Sequence, residues 1–202
     1  MKNKKWIILN LFLLSIFLYL GFLVRNSSEG VLFDVSVLNF IHNSSNPVML
    51  SIMKFISFIG SETFLFPTIG IIIIYTFIKK KYFITKILLA NTLGSWILNY
   101  ILKWVFQRTR PFDYALVTQG GLSYPSGHSM VTMSMYLAIA YLLSRNKDKI
   151  KKRNIYIMAS VFIILMGVSR MYLGVHWPTD IIGGYIMGYL YFISTKKLIS
   201  DL

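Results

Sequence analysis

The chain has 202 residues, 55% of them hydrophobic and 14% charged, with no cysteine and a formal net charge of +14. Soluble domains carry about 25% charged residues, so these proportions point to one integral membrane domain, residues 1–202, and exclude disulfides, thiolate metal sites and cysteine nucleophiles. Lys and Arg gather between apolar blocks, the pattern of cytoplasmic loops rather than of a nucleic-acid surface.

Apolar blocks of about 18 residues or more with few charges read as transmembrane helices. The first runs from the basic start through Val24. It is too long for a signal-peptide core and lacks a small-residue cleavage site, so it is expected to be retained. Residues 25–46 are polar, with an amphipathic middle (31–43) that reads as an interfacial anchor, His42 being a loop histidine within it. Gly60-Ser61 marks a break, and the second span covers 62–78. The third is placed at 83–105, followed by a long loop through residue 127. The fourth is placed at 128–144, the fifth at 155–172 and the sixth at 179–195. The fold class is therefore all-α, a six-span transmembrane bundle.

Six spans put both termini on one side. Lys2, Lys4, Lys5, Lys79–Lys81, Arg145–Arg153, Lys196 and Lys197 all fall there, which makes that side cytoplasmic. Three chemistry-bearing segments reach the opposite, outer face: Lys103 with Arg110-Pro111; Pro125-Ser126-Gly127-His128; and Ser169-Arg170 with His176 and Asp180. Each has an ordinary explanation alone. A lysine at a helix end snorkels, Pro-Ser-Gly starts a helix, and a first-turn acid complements the helix dipole. Their arrival at one face from separate spans is harder to explain without a function.

Three cations at a membrane edge are costly unless an anion compensates them. Phosphate fits, because Arg binds its oxygens as a fork and Lys as a point charge. The start of the fourth helix offers backbone N–H groups to the same anion, with Gly127 permitting close approach and Ser126 helping to stabilise the oxygens. Asp180, four residues after His176, is placed to accept from one imidazole nitrogen and leave the other as nucleophile. His128 then serves as the acid for the leaving group. Arg108 and Asp113 read either as residues that shape the loop or touch the headgroup or, more plainly, as a local pair. Tyr114 and Tyr124 read as an interfacial aromatic belt, and Gly184 and Gly188 as a small-residue packing face.

The motifs K-x6-RP (103–111), PSGH (125–128) and SR-x5-H-x3-D (169–180) resemble the three signatures of the type 2 phosphatidic acid phosphatase superfamily. The likeness extends over about residues 60–195, the expected phosphatase core. It is strongest to small bacterial membrane members that act on phosphatidylglycerophosphate or undecaprenyl pyrophosphate. The resemblance implies a phosphohistidine on His176, with His128 as acid and no metal. It also implies phosphate held by Lys103, Arg110, Ser126, Gly127 and Arg170. No cofactor is expected; the partners are a lipid phosphate and the bilayer of the cell membrane. Competing readings are a phosphotransferase using the same site, a transporter of a phosphorylated lipid and, more remotely, a metal hydrolase or a vanadate-binding haloperoxidase. Transporter sites belong near the bilayer midplane, commonly between repeats, which this pattern lacks. Among substrates, undecaprenyl pyrophosphate ranks slightly ahead, because a departing phosphate has a lower pKa than an alkoxide.

Overall fold

The structure is a computed structural model describing residues 2–43 and 46–200, without the side chains of Lys2 and Asn3. The expected interfacial stretch reaches Ser44 and Ser45, which lie outside the described residues, and the amino-terminal cation cluster includes Lys2, whose side chain does as well. The helices are α1 (Lys2–Leu23), α2 (Asp34–Asn43), α3 (Pro47–Ile59), α4 (Glu62–Ile78), α5 (Tyr82–Leu89), α6 (Ser95–Phe106), α7 (Gly127–Ser144), α8 (Lys149–Tyr172) and α9 (Pro178–Ser200). A π-helical turn, Ala90–Gly94, joins α5 to α6 in one rod, and a short 3-10 turn, Phe112–Tyr114, sits in the long loop. There is no strand among the described residues.

The break expected at Gly60-Ser61 is present, with Asn46 capping α3 and Pro47 opening it. Side-chain capping and a proline in the first turn are the ordinary devices of a helix start. α8 begins at Lys149, not near residue 155 as expected, because Asp148 caps it and accepts from Lys151 N at 2.9 Å. The cationic run is thus partly helical.

Two helices are individually long and apolar enough to cross a membrane, Lys4–Leu23 and Lys149–Tyr172. The pair Pro47–Ile59 and Glu62–Ile78, bent by 41°, passes the same criterion together. The other expected spans correspond to the α5–α6 rod, α7 and α9. Their apolar character is diluted by buried polar side chains, among them Asn91, Asn99, Ser129, Thr132, Ser134, Thr179 and Asp180. These face the interior of the bundle, where polar groups within membrane proteins belong.

The centre of the fold is the contact between α7 and α9. Gly184 and Gly188 make it possible, as their spacing suggests: a Cβ at Gly184 would stand 2.8 Å from the Ser126 carbonyl oxygen, and one at Gly188 2.5 Å from that of Met130. Asn91, in the π turn, ties the rod to this pair by accepting from Ser134 Oγ at 2.8 Å and Thr195 Oγ1 at 2.9 Å. Tyr124 is not part of an aromatic belt. It is fully buried, donates to the Phe17 carbonyl at 2.8 Å and stacks on the Phe17 ring, anchoring α1 against the loop before α7.

Candidate active site

α6 ends where Gln107 takes a left-handed conformation, φ 49°, and its N–H closes on the Lys103 carbonyl. The chain turns inward there, so Arg108 and Arg110 enter the protein from the loop while Lys103 reaches it from the last turn of α6. α7 starts at Gly127 with Ser126 as its cap. α8 delivers Arg170 from its last turn, and α9 follows His176 after a turn of one residue.

These segments meet at a cleft of roughly 540 Å³ of empty space. Lys103, Arg110, Gly127, His128, Arg170 and His176 line it together. Ser126 and Asp180 stand behind the lining. The Ser126 hydroxyl accepts from Ser129 N and Ser129 Oγ, and its backbone N–H donates to the Asp180 carbonyl at 3.0 Å. Gly127 serves a neighbour as well as the cleft: a Cβ there would stand 2.9 Å from Asn99 Oδ1. Asn99 in turn donates to the Pro125 carbonyl at 3.0 Å and so fixes the start of α7.

One segment, residues 119–123, supplies acceptors to all three cations. Arg110 Nε donates to the Gly120 and Gly121 carbonyls at 3.0 Å each, and its Nη2 to that of Leu122 at 3.2 Å. Lys103 Nζ donates to the carbonyls of Leu122 and Ser123, and Arg170 Nη2 to Gln119 Oε1 at 2.9 Å. Arg170 Nη1 donates to Ser57 Oγ on α3. Arg170 Nε and His128 Nε2 are buried without a hydrogen-bond partner among the described residues. An unpaired buried polar atom is unfavourable, and both residues line the cleft, so a phosphate oxygen there would satisfy them.

His176 is held from both sides. Arg110 Nη1 lies 3.1 Å from its Nε2, and Ser123 Oγ lies 3.2 Å from its Nδ1. Since Arg only donates, Nε2 carries the lone pair and Nδ1 the proton. Burial holds the His176 pKa well below its ordinary value, reinforced by Arg110, Lys103, Arg170 and His128. The imidazole is thus neutral at physiological pH, with Nε2 at the cleft. Arg110 is itself lowered to about 10, mainly by burial and against the pull of Asp180, and remains charged.

The expected contact between His176 and Asp180 is present but long, 3.4 Å. Ser123 occupies the gap: its hydroxyl donates to Asp180 Oδ2 while facing His176 Nδ1. The same carboxylate oxygen accepts from Trp177 N at 2.9 Å. Arg108 does not pair with Asp113. It reaches Asp180 Oδ1 at 2.8 Å and Asp34 Oδ2 at 2.7 Å, with no exposed side-chain surface at any of the three. Asp34 opens α2 and also accepts from Thr179 N at 2.9 Å and Thr179 Oγ1 at 2.8 Å. α2 is therefore docked on the back of the site rather than being a simple interfacial anchor. His42 belongs to this helix, its ring set edgewise on Tyr114 at 5.3 Å.

Sequence reasoning missed Asp34, Ser123, Asn99, Ser57 and Gln119. Asp34 was the most accessible of these, an acid opening an amphipathic helix at the face that gathers the cations. Ser57 sits in the last turn before the Gly60-Ser61 break. The other three carry no local signal. Among the described residues no three His, Asp or Glu side chains converge as a metal site.

Comparisons with known proteins place the chain in a family. The family model described as the PAP2 superfamily matches residues 83–202, so the chain belongs to that superfamily. It is 37% identical over 152 residues to phosphatidylglycerophosphatase B of Bacillus subtilis, covering 74% of this chain and 75% of that one. It is 28% identical over 203 residues to an undecaprenyl-diphosphatase of Sulfolobus acidocaldarius, covering 96% and 91%. The crystal structure of a transmembrane PAP2-type phosphatidylglycerolphosphate phosphatase from Bacillus subtilis superposes with a TM-score of 0.84 at 32% identity, over 96% of each chain.

Proposed function

We propose that this protein is a membrane lipid phosphate phosphatase that passes a terminal phosphoryl group first to His176 and then to water. The observation that carries this reading is the pairing of His176 Nε2 with Arg110 Nη1 at 3.1 Å, in a cleft shared with Lys103, Arg170 and His128.

In the first step the Nε2 lone pair attacks phosphorus and the P–O bond to the lipid breaks. His128, protonated, gives its Nε2 proton to the departing oxygen. Lys103, Arg110 and Arg170 exchange their contacts with residues 119–123 for the phosphoryl oxygens and stabilise the charge spread over them. Ser123 and Asp180 hold the Nδ1 proton and the positive charge that develops on the ring. In the second step His128, now neutral, takes a proton from water. The resulting nucleophile attacks phosphorus, the P–N bond breaks, and inorganic phosphate leaves with His176 restored. The reaction runs without metal: a divalent ion beside these three cations would be repelled.

The residues fit a substrate whose tail stays in the bilayer. Leu65, Phe66, Trp96 and Val131 form an apolar wall beside the charged end of the cleft. The chain forms one domain with residues 60–195 as its catalytic core. It is arranged as six spans in the cell membrane, with both termini cytoplasmic and the cleft outside. The substrates are the terminal phosphates of phosphatidylglycerophosphate, phosphatidic acid or a polyprenyl diphosphate. The test is phosphate release by detergent-purified protein from these lipids and from a short water-soluble phosphate ester. The expected result is a preference of at least tenfold in kcat/KM for the lipids; equal rates on the soluble ester would overturn the bilayer-anchored reading.

A further inference from the structure

Glu62 is the one acidic side chain among the described residues lining the cleft. It is an odd neighbour for an anion, since a carboxylate there opposes phosphate binding. Its place in the first turn of α4 complements the helix dipole, and Trp96 Nε1 donates to its Oε1 at 2.7 Å. Neither contact uses Oε2, which makes no hydrogen bond among the described residues. Glu62 also has a definite side within the cleft. The break that precedes it lies against His128, where a Cβ at Gly60 would stand 3.4 Å from His128 Cδ2. Leu65, Phe66 and Trp96 share that wall. With His176 attacking and His128 protonating the departing oxygen, the leaving group passes along this wall toward the bilayer.

We propose that Glu62 is a specificity-determining residue for the leaving group. It accepts a hydrogen bond from a free hydroxyl on the departing alcohol and repels a leaving group whose own phosphate sits directly on the bridging oxygen. This rests on the phosphatase reading above and narrows it. The favoured substrate is a phosphate monoester of a hydroxyl-bearing headgroup, such as the terminal glycerol of phosphatidylglycerophosphate. That headgroup holds its second, diester phosphate a glycerol unit away. A polyprenyl diphosphate has no hydroxyl to offer and brings an anion to Glu62, which reverses the ranking drawn from leaving-group pKa. Both halves follow general rules: a site built to hydrogen-bond a hydroxyl rejects analogues lacking it, and specificity uses repulsion as well as attraction.

The experiment measures kcat/KM of the wild type, Glu62→Gln and Glu62→Ala on phosphatidylglycerophosphate, phosphatidic acid and undecaprenyl pyrophosphate in one detergent. The wild type should prefer phosphatidylglycerophosphate. Glu62→Gln, which keeps an acceptor and the Trp96 contact but loses the charge, should shift the ratio toward the diphosphate by about tenfold. Glu62→Ala should in addition bring phosphatidylglycerophosphate down toward phosphatidic acid. Variants that slow all three substrates alike, or leave the ratios unchanged, would make Glu62 structural and overturn the inference. Should Glu62→Ala fail to fold, Glu62→Gln alone decides it. A wild type that releases phosphate from none of the lipids would instead overturn the phosphatase reading.

Discussion

Arg108 Nη1 meets Asp180 Oδ1 at 2.8 Å with no side-chain surface exposed on either residue. The same guanidinium holds Asp34 at 2.7 Å, so one buried cation joins α2 to the carboxylate behind His176. Removing one partner of a buried pair leaves the other charge uncompensated and costs about 3–5 kcal/mol. Arg108→Ala strands two carboxylates and should lower the melting temperature sharply in detergent. Asp34→Asn keeps the shape and removes one charge, and should yield a folded protein with reduced kcat. An unchanged melting temperature in Arg108→Ala would show that the three residues do not form a buried cluster.

Ser123 stands between His176 Nδ1, at 3.2 Å, and Asp180 Oδ2. Ser123→Ala should lower kcat by about ten- to a hundredfold with little change in KM, because it leaves substrate contacts intact and loosens the imidazole. Asp180→Asn should cost more, since the amide also disturbs the contacts with Arg108 and Trp177 N. Equal kcat in the wild type and Ser123→Ala would show that Asp180 orients the ring directly.

The helical outline was legible in the sequence because apolar periodicity, the Gly60-Ser61 break and the Gly184/Gly188 spacing are local signals. The candidate site residues were legible because their motifs are local too, and the cleft gathers six of the eight. What the sequence hid is the support behind them. Arg108 bonds residues 74 positions earlier and 72 later, and no short-range pattern selects Asp34 and Asp180 over nearby Asp113. Tyr124 looks amphipathic, yet its hydroxyl is satisfied by the Phe17 carbonyl, which permits full burial. The start of α8 was misplaced because hydropathy weighs the cationic run as a loop, while the Asp148 cap lets that run be helical.

Two glycines separate close packing from helix propensity. A Cβ at Gly188 would stand 2.5 Å from the Met130 carbonyl oxygen, while one at Gly70 meets nothing within 4 Å. Gly188→Ala should destabilise by about 1–3 kcal/mol through forced separation of α7 and α9. Gly70→Ala, in the interior of α4, should be neutral or slightly stabilising. Melting curves of the two variants in one detergent compare them directly; equal shifts would contradict the close α7–α9 contact.

The proposed six-span arrangement would place Asn146 in the cytoplasm and Thr118 outside. In this cysteine-free chain, Asn146→Cys and Thr118→Cys can each be probed in intact cells with a membrane-impermeant thiol reagent. Thr118→Cys should be labelled and Asn146→Cys protected until the cells are opened. The reverse pattern would invert the orientation and put the cleft on the cytoplasmic side.

The most direct measurement is rapid acid-free quenching of the protein mixed with a lipid substrate radiolabelled in its terminal phosphate, followed by alkaline separation. The wild type should carry label on His176 that survives base and is lost in acid, as a phosphohistidine is. His176→Ala should carry none and should release no phosphate. Label that persists in His176→Ala, or turnover that His176→Ala retains, would contradict a phosphohistidine at this position.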